Sequence, residues 1–160
     1  MKFLTKFLLI VSVFLSYTVV SQNKLSIDDS EKWRVLADEG KYSEAIEELQ
    51  YIYINSDGRN KHQIYWHIGQ MYACNNDYEN AIKYIKKSSS IFNRMFDEGW
   101  RWYYKGTIAF LDRDKDKLYH YYSKLNNSNT GYYWSNLETL KSLYENFDKS
   151  YIEAYNHKSK

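Results

Sequence analysis

The groups in this chain that could do chemistry are four histidines, one cysteine and its carboxylates, and their spacing argues against a reactive centre. A helical zinc pair needs two histidines four residues apart on one face with a carboxylate to support them. His62, His67, His120 and His157 never fall at that interval with an acid between them, so they read as surface or packing residues and no metal is expected. Asp112-Arg113-Asp114-Lys115-Asp116 opens like a calcium loop, whose alternate carboxylates would converge on a cation. Lys117 stands where the turn needs glycine and Ser123 where the bidentate glutamate belongs, so the segment reads as a solvated helix start. Cys74 lies in the apolar stretch 68–74 with no neighbouring base. It reads as a small buried thiol, with an intermolecular bridge as the alternative. No glycine-rich phosphate loop and no serine in a nucleophile elbow occur. The expectation is a protein that is not an enzyme and carries no cofactor.

Rings are abundant instead: 5 Trp, 18 Tyr and 7 Phe. The run Trp100-Arg101-Trp102-Tyr103-Tyr104 places bulky side chains all around one helix, so they cannot all face one core. Some are expected to reach solvent or a partner, because exposed Trp and Tyr dominate binding hot spots. A helix buried on two sides is the competing reading.

The elements that position these rings follow from periodicity. The chain has no proline, and its apolar runs are separated by Asn, Asp, Lys and Ser. Tyr133, Leu137, Leu140, Tyr144 and Phe147 recur at steps of 4, 3, 4 and 3, one face of a helix. Ile64, Ile68, Met71 and Tyr72 do the same, and no alternating run reads as a strand. Eight helices in four pairs are predicted: 27–38 with 42–54, 61–74 with 77–91, 97–111 with 114–125, and 133–146 with 148–157. Ser26 with Asp29, Asn60 with Gln63 and Ser135 with Glu138 have the spacing of capping boxes, and Asp77, Asp97, Asp114 and Asp148 are placed as caps.

One segment occurs twice. Residues 40–49 (Gly-Lys-Tyr-Ser-Glu-Ala-Ile-Glu-Glu-Leu) return as 76–85 (Asn-Asp-Tyr-Glu-Asn-Ala-Ile-Lys-Tyr-Ile), with Ala45 and Ala81 separated by 36 residues. Tyr65, Ile68-Gly69 and Tyr72, followed by Asn76, Tyr78, Ala81 and Ile85, resemble the tetratricopeptide repeat family. Gly40, Tyr42, Ala45 and Leu49 carry a weaker copy, in which Trp33 stands at the packing-glycine position. Trp102, Gly106, Phe110, Tyr121 and Tyr122 carry a third, with Leu118 in the alanine position. Leu140, Leu143, Tyr151 and Ile152 carry a fourth that lacks the glycine. The family's proline is absent, with Asp57 and Asn93 near the places it would occupy.

That resemblance implies an all-α fold, a right-handed superhelical stack of antiparallel helix pairs (an α-solenoid) of about three to four repeats. Gly69 and Gly106 let helices approach closely, and Ala45 and Ala81 do so from facing helices. It also implies a concave groove lined by the first helix of each pair, here Arg34, Trp66, Gln70, Trp100 and Tyr103, continued by Thr107, Phe110, Trp134 and Lys141. The implied partner is a protein or peptide held in that aromatic groove. The alternative is a cell-envelope glycan or small ligand stacked on the same rings.

The start of the chain reads as a targeting signal. Lys2 and Lys6 precede an apolar run of 14 residues, 7–20, and small residues at 19–21 suit cleavage after Ser21. Export to a periplasmic or secreted location is expected, with an uncleaved membrane anchor as the alternative. The expected organisation is a signal peptide at 1–21, a repeat domain at 22–157 and a disordered tail at 158–160. Removing 1–21 takes away two of the 22 Lys+Arg and none of the 20 Asp+Glu, which leaves 20 against 20. Nothing in that balance asks for nucleic acid or an anionic membrane.

Overall fold

A computed structural model describes residues 31–56, 58, 60–89, 97–128 and 131–156. The expected signal at 1–21, the Ser26–Asp29 pair, the first turn of the helix expected from 27, Asp57, Asn93, His157 and the tail at 158–160 lie outside the described residues. Eight α-helices appear among the described residues, with no strand: α1 Lys32–Asp38, α2 Tyr42–Asn55, α3 Lys61–Cys74, α4 Tyr78–Ser88, α5 Glu98–Leu111, α6 Lys115–Asn126, α7 Trp134–Glu145 and α8 Tyr151–Asn156. A 3₁₀ turn, Gly131–Tyr133, precedes α7. The fold is all-α.

Local chemistry sets several of the helix ends. Asp77, Asp97 and Asp114 accept the amides of Asn80, Trp100 and Lys117 at 3.1, 3.0 and 2.9 Å, satisfying donors that the first turn leaves unpaired. Two expected caps are corrected. Ser135 lies inside α7, where its carbonyl accepts from the Thr139 hydroxyl. Asp148 lies too early; Ser150 precedes α8 instead, and Glu153 reaches back to accept its amide at 3.0 Å. Asn60 occupies the N-cap of α3, but its side chain makes no capping bond.

The turns α1–α2, α3–α4 and α5–α6 share one backbone design. Gly40, Asn76 and Arg113 adopt φ of 76°, 60° and 59°. Their amides donate to Ala37, Ala73 and Phe110 O, while the next amides, of Lys41, Asp77 and Asp114, reach back to Leu36, Tyr72 and Ala109 O. Each is a Schellman closure, a left-handed residue that pairs two orphan carbonyls. Asp112–Asp116 is therefore a hairpin turn followed by a helix cap.

Consecutive helices pack against one another, and two longer-range contacts join α5 to α7 and α8 to α3. Glycine sets one of the tightest approaches. A Cβ on Gly69 would stand 2.6 Å from Ile85 Cγ1 and 3.0 Å from Ala81 O, so α3 meets α4 backbone against side chain. A Cβ on Gly106 would meet Leu140 of α7 at 2.8 Å. Ala45, Ala81, Leu49, Ile85, Leu118 and Leu140 are fully buried in the seams. Tyr42, Tyr65, Tyr72, Tyr78 and Trp102 are half-buried beside them, with Tyr72 stacked on Tyr84 at 5.3 Å.

Candidate functional site

The odd-numbered helices carry the expected groove residues, and the structure divides them into three sets. Trp66 of α3 packs against Trp100 and Tyr103 of α5, ring centroids 4.7 and 5.3 Å apart. Trp66 and Tyr103 are buried and Trp100 half-buried. The Trp100 Nε1 is buried without a partner among the described residues. Thr107 and Phe110, both 0% exposed, are sealed, and the Thr107 hydroxyl donates to the Tyr103 carbonyl at 3.0 Å. Trp66, Tyr103, Thr107 and Phe110 therefore do not line an open groove. None of residues 100–104 is exposed, because α4, α6 and α7 all pack on α5 and absorb its rings. Trp134, 65% exposed, stands at the start of α7 with Tyr133 and Leu137 around a shallow hollow of about 220 Å³. Lys141 is half-buried on the same helix.

The expected groove is filled by the chain itself. Helix α8 lies against α3 and α7, and Tyr151 packs edge-on to Phe110 of α5 with centroids 5.9 Å apart. The Tyr151 amide donates to the Tyr78 hydroxyl at 2.9 Å, 73 residues away in sequence. The Ser142 hydroxyl donates to the Ala154 carbonyl at 2.6 Å. The Tyr151 side chain is 1% exposed. Gln70 stands beside its hydroxyl, yet that hydroxyl completes no hydrogen bond among the described residues. Burial, with Tyr103 and Cys74 adjacent, drives its pKa well above the ordinary tyrosine value, because a phenolate there would be unsolvated.

Beside α8 a cleft of about 400 Å³ remains open between α1, α3 and α8. Arg34 and Gln70 line it, joined by residues that sequence reasoning did not assign to a site: Trp33, Asp38, Tyr42, His67, Tyr151 and Tyr155. The Arg34 guanidinium covers one ring face of Trp33 at 4.6 Å, a cation–π contact. His67 packs against the same indole at 4.7 Å, and its Nδ1 lies 3.0 Å from Gln70 Oε1. The Trp33 Nε1 is buried and unpartnered among the described residues. Cys74 forms part of the lining, and burial pushes its thiol up to about 12, so it is neutral and unreactive at physiological pH. The one sequence signal for this cleft was Trp33 itself, a large ring at a position where the repeat pattern calls for glycine.

Chemically, the cleft offers aromatic walls, a cation and a carboxylate at its edge, and amide and hydroxyl groups deeper in. Among the described residues, no group of three His, Cys, Asp or Glu is placed to hold a metal ion, and no helix is long and apolar enough to cross a membrane. No family model, no curated protein and no solved structure matches the chain.

Proposed function

We propose that this chain is a non-enzymatic, exported adaptor built as a tetratricopeptide-like α-solenoid, which holds a segment of a protein partner in the cleft between α1, α3 and α8. The observation that carries this reading is the cleft of about 400 Å³, walled by Trp33, Tyr42, Tyr151 and Tyr155 and edged by Arg34 and Asp38. Its size and mixed lining match sites that capture a few side chains or a small ligand. The repeating Schellman turns at 40, 76 and 113 support the repeat architecture, since each closes a helix pair in the same way. The α7–α8 connection lacks that turn, which supports reading the last pair as a terminal cap. The aromatic contact would supply affinity, and the two edge charges would set orientation. A glycan or small-ligand partner is the second reading, favoured by the modest volume of the cleft.

The test is site-specific photocrosslinking in the native compartment. A photoreactive residue at Ala37, which lines the cleft, is compared with one at exposed Glu79 on α4. Discrete protein adducts from position 37 alone support the adaptor reading. Glycan adducts there establish the second reading. Identical adducts from both positions refute a cleft-directed function.

A further inference from the structure

We propose that α8 is a displaceable stand-in for the partner's own segment, and that the partner presents a short helix of pattern aromatic-x-x-alanine-aromatic. This rests on the adaptor reading and shifts the docking place: the partner helix takes the seat of α8, and its flanking side chains take the adjoining cleft. Helix α8 spans six described residues, and a helix that short draws its stability from the wall it lies on. Its pattern records what the wall selects. Tyr151 and Ala154, at i and i+3, are 1% and 0% exposed, while Ile152 and Tyr155 are half-buried along the open cleft. Phe110 meets the ring, and the Tyr78 and Ser142 hydroxyls meet backbone groups of α8 rather than side chains. Such a wall reads a helix by one aromatic, one small residue and two main-chain groups, and tolerates variation elsewhere.

The seating of α8 is also imperfect. The Tyr151 hydroxyl is buried with no completed hydrogen bond among the described residues, although Gln70 stands beside it, and a segment with phenylalanine in that place has no such hydroxyl to satisfy. Along the flank of α8, the cleft leaves space for side chains larger than those of Ile152 and Asn156. A foreign helix can therefore fit better than the resident one.

A labelled peptide of residues 149–156 (Lys-Ser-Tyr-Ile-Glu-Ala-Tyr-Asn) is titrated by fluorescence anisotropy against the full chain and against its Tyr151→Ala variant, whose resident helix is weakened. The expected result is binding at least tenfold tighter to the variant. The peptide carrying phenylalanine in the Tyr151 place should bind tighter still, and the one carrying alanine there should not bind. Equal binding to both proteins, or to neither, overturns the proposal. If Tyr151→Ala does not fold, amide exchange on the unaltered chain decides: residues 151–156 should open at least tenfold more often than 61–74. Exchange of α8 only through global unfolding overturns the stand-in role. Crosslinks at position 37 without peptide binding would leave the adaptor reading intact and remove only this inference.

Discussion

Replacing Tyr151 with phenylalanine should make this protein more stable, the reverse of the usual outcome for a buried tyrosine. The side chain is 1% exposed, and its hydroxyl has no hydrogen-bond partner among the described residues. An unsatisfied buried hydroxyl costs about 1–3 kcal/mol relative to its hydrated state in the unfolded chain. Phenylalanine keeps the ring and its edge-on contact with Phe110, centroids 5.9 Å apart. The lost oxygen leaves a void of roughly 10–15 Å³, worth roughly 0.3 kcal/mol at about 24 cal/mol per Å³. The net gain is about 1–2 kcal/mol, or a rise in Tm of about 3–8 °C for a domain of this size. Urea titration followed by helical circular dichroism gives the free energy, and a thermal melt gives the shift. Unchanged or reduced stability would show that Gln70, which stands beside the hydroxyl, satisfies it, and the argument for imperfect seating would fail with it.

Gly69→Ala should destabilise despite better helix propensity. The propensity gain is about 1 kcal/mol, but the new Cβ meets Ile85 N and Ala81 O at 3.0 Å. Overpacking against backbone costs about 1–3 kcal/mol, so a neutral or higher urea midpoint would refute the close approach. Asp97→Ala removes the cap on α5, whose carboxylate takes the Trp100 amide at 3.0 Å, and should cost about 1 kcal/mol by the same assay. Alkaline stability follows from raised pKa values. Burial lifts Cys74 from 9.0 to about 12 and lifts Tyr103 and Tyr151 above 10.0, so each is neutral when folded and ionises first in the unfolded chain. Their contribution is complete below about pH 9 and is lost as pH rises through 9–12, at about 1.4 kcal/mol per unit per group. Cys74→Ala should remove the slope that begins near pH 9, and an unchanged profile would contradict the buried thiol. Finally, intact mass of the protein from its native compartment should lack residues 1–21, and a retained Met1 would reject the cleaved leader.

The helices were legible because their signals are local. Apolar steps of three and four residues place α3 and α7, and Asp77, Asp97 and Asp114 cap the helices they precede, as their positions foretold. Glycine at 69 and 106 announced close approaches that the coordinates contain. The turn at Arg113 was less visible, since a left-handed arginine has no sequence signature and is recognised only by its likeness to Gly40 and Asn76. Trp66, Tyr103, Thr107 and Phe110 are buried and do not face an open groove. They lie on the helices expected of them, but each helix was treated as facing open space; of the rings at 100–104 some were expected to reach solvent or a partner, and the competing reading, a helix buried on two sides, is the one that fits.

Residue type and spacing alone were enough to specify the helices of the described residues and several of their caps, because those depend on interactions spanning about four residues. Which rings end up covered is a different matter. Tyr151 reaches Tyr78 across 73 residues, and that seating depends on the free energies of alternative long-range packings that share the same local pattern. A six-residue helix looks identical in sequence whether it leans only on α7 or crosses to α3. Folding in three dimensions chose the second, covering Phe110 and leaving the cleft beside Trp33 open.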